Sequence, residues 1–216
     1  MRALDLLLPP ACAGCRRSGA VLCAACLRSF APPSRADDRF VAPDAGAVVG
    51  TDLLLALAAF AYAGPMRKAL AALKYGGAPR AARPLAEATL PALRRLLLIS
   101  GPVSLVPVPV HATRRRERGY DQAELLAREL ARLSGLPMVS SLARVRETTK
   151  QHRLDRAARL RNLRDAFAAR VPPSLPRRVI LVDDIVTTTA TLEACASVLR
   201  AAGCEEVYGI AVAREV

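Results

Sequence analysis

Two stretches of this chain hold residue types that do chemistry only in company. The first, Val179–Thr191, reads VILVDDIVTTTAT: four apolar residues, two adjacent carboxylates, then four threonines within five positions. Unpaired carboxylates at the end of a buried strand are costly to desolvate. Asp183 and Asp184 are therefore expected to serve neutral hydroxyls or a hydrated cation. The threonine loop leads into a helix start, where unpaired N–H groups and the positive dipole end suit a phosphate. A ligand with a phosphate at one end and a diol in its middle, such as a ribose 5-phosphate, fits both halves. The plainer alternative is a polar strand-to-helix turn capped by threonine.

The second stretch is Cys12-Ala-Gly-Cys15, seven residues, then Cys23-Ala-Ala-Cys26. Paired CxxC knuckles in a chain without an export signal point to metal rather than to disulfides or redox thiols. Four thiolates suit a tetrahedral Zn²⁺, and Gly14 and Gly19 fit the tight turns required. A closed site of four cysteines has no open position for substrate. Its expected job is to fold a segment too short to have its own core. Cys195 shares a helical face with Leu192 and Leu199 and reads as a core thiol. Cys204 follows a helix stop and reads as buried.

The elements that position these groups follow from periodicity and caps. Leu57–Tyr62 suits a strand, and Gly64-Pro65 opens a helix that ends near Lys74–Gly77. A second helix covers Pro84–Leu98. In the apolar run Val103–Val110, Pro107 and Pro109 argue against a central strand or confine it to the first half. Asp121 with Glu124 forms a capping-box signature. Leu125, Leu126, Leu130 and Leu133 then line one face until Gly135 stops the helix. Val179–Val182 and Val207–Val212 are strands around a helix over Thr191–Ala202 that stops at Gly203. This alternation predicts an α/β fold, a mostly parallel sheet flanked by helices, with ligands gathered at the carboxyl ends of the strands.

With 216 residues the chain suits one domain with a small appendage, and at 52% hydrophobic it is no disordered chain. Ala31–Gly50, rich in Pro, Asp, Gly and Ala, reads as a linker. The net charge of +13 suggests an anionic partner: nucleic acid, phosphate esters or a membrane surface. Only three of the 32 basic residues are lysines, so part of that charge reflects an Arg/Ala-rich composition. Aromatics are 4% and Trp is absent, which argues against extended base-stacking platforms. The longest apolar run, Leu53–Ala63, falls short of the roughly 20 residues that span a bilayer. Asp5 and Pro9-Pro10 interrupt the leader-like Met1–Leu8. A soluble, cytoplasmic protein without a membrane span is expected.

VILVDDIVTTTAT resembles the phosphoribosyl-pyrophosphate (PRPP) motif of type I phosphoribosyltransferases. Four further stretches make the chain similar to the ComF/GntX group of phosphoribosyltransferase-like proteins, associated with bacterial competence. They are the CxxC…CxxC pair, LKYGG at Leu73–Gly77, VPVPVHATRRRERGYDQAELLA at Val106–Ala127, and the Arg-rich Arg144–Asn162. The resemblance implies a type I phosphoribosyltransferase-like domain over 46–216 behind a zinc-binding four-cysteine subdomain and linker over 1–45. It implies binding of PRPP with Mg²⁺ and transfer of the phosphoribosyl group with loss of pyrophosphate. By the same resemblance, Asp183 and Asp184 bind the ribose hydroxyls, directly or through hydrated metal. Thr187, Thr188, Thr189, Ala190 and Thr191 bind the 5-phosphate, and Arg118, Gly119 and Tyr120 the pyrophosphate. Arg144–Arg164, with Arg146, Thr148 and Gln151, stands where the class has a loop that closes over the substrate.

Two positions depart from the pattern. Thr189 stands where the motif has glycine, and a β-branched residue tolerates positive φ badly. Either the backbone at 189 is ordinary or the loop has shifted. Asp121 replaces the more common Asn, adding a negative charge near the implied pyrophosphate site.

The basic segments leave two functional readings open beside that of a solvated surface. Arg114–Arg118 holds four arginines in five positions, and Arg144–Arg164 holds eight basic residues. They could meet the phosphates of a small, highly charged substrate, or neutralise the backbone of single-stranded DNA without reading sequence. Competence proteins are the other implied partners. His111 and His152 are too few and too far apart for a metal site, so turn or core roles are expected.

Overall fold

The computed structural model describes residues 9–33, 47–146, 165–170 and 175–215. Five strands form the main sheet: β1 (Ala47–Val48), β2 (Leu55–Ala61), β3 (Ser104–Pro107), β6 (Arg178–Val186) and β7 (Glu206–Arg214). Their order is β1-β2-β7-β6-β3, with β1 antiparallel to β2 and the other neighbours parallel. A separate antiparallel pair joins β4 (Leu142–Arg144) to β5 (Phe167–Ala169). The helices are α1 (Ala24–Arg28), α2 (Gly64–Tyr75), α3 (Ala82–Ser100), α4 (Ala112–Arg118), α5 (Gln122–Ser134) and α6 (Ala190–Ala201). Among the described residues, no helix is long and apolar enough to cross a membrane.

Central strands covered on both faces read as continuous apolar runs rather than alternating ones, as VILV in β6 does. Its pleat sends Ile180 and Val182 into a core shared with Leu70 and Leu73 of α2, Leu85 and Leu93 of α3, and Leu126 and Leu130 of α5. Val179 and Leu181 enter a second core with Leu192, Cys195 and Leu199 of α6 and Phe167 of β5. Cys195 is thus the core thiol expected. Cys204 is also buried, its thiol 3.2 Å from the carbonyl of Arg177.

The N-terminal cysteine segment does not stand off from this body. Cys12, Leu22, Cys26 and Phe30 belong to the same core as Met66 and Leu70 of α2. Phe30 meets Phe60 of β2 edge to face at 5.2 Å, and the Ala61 N–H donates to the carbonyl of Ala31 at 2.9 Å.

Several boundaries differ from expectation for identifiable reasons. The strand expected to stop at Asp183-Asp184 runs on to Val186, because β7 continues beside it with Ile185 opposite Ala213 and Val186 opposite Arg214. The helix expected from Thr191 begins at Ala190. β3 ends at Pro107, as its prolines demand, and lies at the sheet edge. The capping box is half formed. Asp121 accepts from the N–H groups of Ala123 and Glu124, but the Glu124 carboxylate turns to Arg115 at 3.1 Å and Arg128 at 2.9 Å. The arginine run after His111 is itself a helix, α4. His111 caps it by accepting from the Thr113 N–H, and Gly119 ends it with φ 78°.

One buried carboxylate ties the two cores' periphery together. Glu193, in the first turn of α6, accepts N–H groups from Thr51 (2.9 Å), Asp52 (2.8 Å) and Leu53 (3.2 Å) just before β2. Glu193→Ala would leave three backbone donors without their acceptor, each worth about 1 kcal/mol or more. We expect chemical denaturation to show a loss of about 2–4 kcal/mol. An unchanged midpoint would mean that water replaces the carboxylate at no cost.

Candidate functional site

At the carboxyl edge of the sheet the chain leaves β3 and β6 in opposite directions. After β3 it passes through α4 to α5, on the face of Ile180 and Val182; after β6 it turns into α6, on the face of Val179 and Leu181. Such divergence opens a crevice at the strand ends. The two aspartates lie at that edge, within the last turns of the pleat of β6 before it ends at Val186.

Their environment follows from the early end of β3. The Val108 N–H donates to the carbonyl of Val182 at 2.9 Å, the last such bond along this edge before the chain departs. Alternate residues of a parallel strand address the same neighbour, so the Asp184 N–H faces the edge that β3 has vacated. The Asp183 carboxylate takes it at 2.8 Å. Asp184 is itself buried, and its Oδ2 lies 3.0 Å from Nζ of Lys74 in the last turn of α2. Burial raises the Asp183 carboxyl well above the usual carboxylate range, and the charge of Asp184 raises it further; its own bond to the Asp184 N–H and the Lys74 ammonium only partly offset this. The site therefore stores repulsion between its two acids, relieved by one lysine.

That arrangement has a pH signature. Asp183 binds its proton more tightly folded than unfolded, so stability falls as pH rises from the ordinary carboxylate range through the folded value. Above that value the ionised Asp183 is a net cost. Asp183→Asn should raise the thermal midpoint at pH 7 by a few degrees, with the gain vanishing toward pH 4. Thermal scans across pH check it; a lower midpoint at pH 7 would contradict the sign.

Lys74 also marks where two other sequence motifs meet. In the same helical turn, the Leu73 carbonyl accepts from the Tyr120 hydroxyl at 2.6 Å. The Arg118 guanidinium lies 5.0 Å from the centroid of the Tyr75 ring and donates to Gln122 Oε1 at 2.7 Å. LKYGG, Arg118-Gly119-Tyr120 and Asp183-Asp184 are thus brought together. Asp121 is not a free charge here. It is buried, and beyond capping α5 its Oδ2 accepts from the Val110 N–H at 2.9 Å, pinning the loop after β3. Burial raises its carboxyl despite those three N–H groups.

Thr187 and Thr188 are exposed, and Thr189, Ala190 and Thr191 are half-buried at the start of α6. Thr189 has φ −64° and ψ −11°, an ordinary helical conformation, and its hydroxyl makes no capping bond. Of the two alternatives for this position, the backbone is the ordinary one. Arg146 is exposed beyond β4; Thr148 and Gln151, with most of the Arg-rich segment, lie outside the described residues. Sequence reasoning did not assign Lys74 to the site. The available signal was compositional, since a lysine is rare in a chain that otherwise uses arginine.

The cysteines form a second centre. The four sulfurs all lie within 4.8 Å of one another, with Cys12 and Cys26 3.8 Å apart and Cys15 and Cys23 3.7 Å apart. Zn–S bonds of about 2.3 Å in a tetrahedron require S···S edges of about 3.8 Å, so the donor set fits Zn²⁺. Burial works against the Cys12 thiolate, but the N–H groups of Cys23, Cys15 and Gly14 outweigh it and lower the thiol to about 6. Cys26 is pushed up by burial and by the neighbouring sulfurs. Gly14 and Gly19 lie in turns, as expected, and Gly19 has φ 113°. Arg16 carries the left-handed conformation, with φ 67°. Gly14 is there for space, because a Cβ would sit 2.8 Å from the Cys26 sulfur.

No protein-family model matches the chain. It is 40% identical over 115 residues to Competence protein F of Haemophilus influenzae, covering 51% of this chain and 50% of that protein. It is 32% identical over 142 residues to DNA utilization protein YhgH of Escherichia coli K12, covering 64% and 62%. YhgH of Salmonella typhimurium is 36% identical over 107 residues, covering 49% and 47%. The matches thus span about half to three fifths of these relatives' length. Similarity of this extent, on a chain with an N-terminal cysteine cluster and a mostly parallel sheet, supports the resemblance to the ComF group.

Proposed function

We propose that this chain is a cytoplasmic phosphoribosyltransferase-like protein that binds PRPP with Mg²⁺ and transfers its phosphoribosyl group with release of pyrophosphate. We further propose that it serves the competence and DNA utilization roles for which its relatives are named. Residues 46–216 would carry the site, and residues 1–45 the zinc-binding subdomain.

The observation that supports this reading is the convergence at the carboxyl edge of β6. Asp184 pairs there with Lys74, the Arg118-Gly119-Tyr120 turn docks on Leu73 and Tyr75 in the same helical turn, and the hydroxyl-rich start of α6 follows β6 directly. Asp183 and Asp184 would receive the ribose diol or a hydrated cation. Backbone and hydroxyl donors of 187–191 would hold the 5-phosphate, and Arg118 would face the leaving pyrophosphate. Carboxylate oxygens are the hard donors that Mg²⁺ takes, and the ion, largely held by substrate oxygens and water, would neutralise the departing charge.

A Mg²⁺-dependent PRPP titration with wild type, Asp183→Asn and Asp184→Asn tests it. We expect binding in wild type and at least a tenfold loss in each variant. Failure of wild type to bind, or indifference to both substitutions, overturns the reading.

A second reading rests on α4, none of whose residues is buried although it carries four arginines. On it, the fold is a non-enzymatic binding module for single-stranded DNA. Such binding should weaken steeply with salt, and Arg114→Ala with Arg116→Ala should lower both affinity and salt slope. Salt-independent binding would rule it out.

A further inference from the structure

Asp183 and Asp184 are neighbours in sequence but not in surroundings. Successive residues of a strand point to opposite faces of the sheet. Asp183 continues the row of Val179 and Leu181, on the face covered by α6. Burial raises the Cys195 thiol of that helix, and the charge of Asp183 raises it further. Asp184 continues the row of Ile180 and Val182 and meets Lys74 at the end of α2.

Access to a ligand divides the two acids further. Asp183 is half-buried, whereas Asp184 is buried and its Oδ2 is closed off from solvent. The Lys74 side chain is 19% exposed, against 4% for that of Asp184. An incoming ligand therefore meets the ammonium before the carboxylate beneath it. An ammonium carries three N–H donors, so pairing with one oxygen leaves others for a second anion. The residues on either side of Lys74 carry the Arg118-Gly119-Tyr120 turn. The Leu73 carbonyl takes the Tyr120 hydroxyl at 2.6 Å, and the Tyr75 ring lies under the Arg118 guanidinium at 5.0 Å. A second cation is thereby brought to the same helix end.

We propose that the two acids have separate tasks. On the α2 side, Lys74 is the group that touches the ligand, donating to an oxygen of its pyrophosphate, and Asp184 is a positioning residue that holds this ammonium. Asp183, on the α6 side with the 187–191 loop, is the acid that accepts from the ribose diol. This inference rests on the reading of the edge as a PRPP site and narrows the part of Asp184 within it.

Calorimetric titrations of the full chain with ribose 5-phosphate, inorganic pyrophosphate and PRPP, each with Mg²⁺, test the division. Lys74→Met should lower affinity for pyrophosphate and PRPP by about tenfold or more, as loss of one charge-assisted hydrogen bond does, and leave that for ribose 5-phosphate within about twofold. Asp184→Asn should show the same split, because it frees the ammonium without touching the diol. Asp183→Asn should instead weaken ribose 5-phosphate and PRPP. The double variant Lys74→Met with Asp184→Asn should lose no more than Lys74→Met alone, since both changes remove one contact. It leaves no lone buried acid, so it supplies folded protein where Lys74→Met is too unstable to titrate. Loss of ribose 5-phosphate affinity in Asp184→Asn equal to that in Asp183→Asn overturns the division, as does unchanged pyrophosphate affinity in the double variant. Either result leaves the PRPP reading standing. A wild type that binds none of the three ligands overturns the PRPP reading and this inference with it.

Discussion

Cys26→Ser should yield protein without stoichiometric zinc and with a stability loss of several kcal/mol, read by metal analysis and by chemical denaturation. The size follows from linkage: metal held only by the folded state contributes its binding free energy to folding, and apparent values for small zinc modules reach about 10–16 kcal/mol. Here the cysteine segment shares a core with α2 and β2 rather than folding alone. Loss of the metal should therefore propagate to the Phe30–Phe60 contact and to Met66. Cys26 is itself buried, so packing could account for part of the effect. Cys15→Ser separates the two causes, because Cys15 is exposed and contributes no packing. Zinc loss and destabilisation in both variants identify the metal as the cause. Destabilisation in Cys26→Ser alone, with zinc absent from wild type, would show a thiol cluster that folds without metal.

Lys74→Met should cost about 2–4 kcal/mol, since it strands the buried Asp184 carboxylate. Breaking one side of a buried ion pair typically costs about 3–5 kcal/mol, because the surviving charge is uncompensated. Lys74 is 19% exposed, so water offsets part of that figure. The double variant Lys74→Met with Asp184→Asn should regain most of the loss, because no lone charge is left to desolvate. If instead the single and double variants are equally unstable, the damage comes from the lysine's packing and the ion pair is incidental. Lys74→Met should also weaken PRPP binding, whether the lysine meets the ligand itself or holds the Asp184 carboxylate in place for it. Measuring the titration at matched folded fraction separates that effect from unfolding.

What could be read in advance depended on the range of the forces involved. The opening of α2 at Gly64-Pro65, the stop of α5 at Gly135 and the burial of Cys195 follow from side-chain period and cap chemistry within a few residues. The sulfur cluster was legible for the same reason, since each CxxC turn places two donors by itself. The helix α4 was missed because its residues show charge and no apolar period; it is stabilised at its ends, by the His111 cap and Gly119, and through Arg115 on Glu124. The extension of β6 past the aspartates was missed because strand length depends on the neighbour, and β7 runs alongside to Arg214.

By itself the sequence determined the α/β alternation, the four-cysteine cluster with the donor set for a metal, and the placing of Asp183, Asp184 and the threonines at one strand-to-helix turn. Those are local consequences of residue type and spacing. Only the tertiary structure decided that Lys74 neutralises Asp184, that Arg118 and Tyr120 dock on the end of α2, and that Glu193 gathers three N–H groups before β2. Each is a contact between segments far apart in the chain. Its partner is chosen by where the sheet order places two strand ends, which no local pattern of residues encodes.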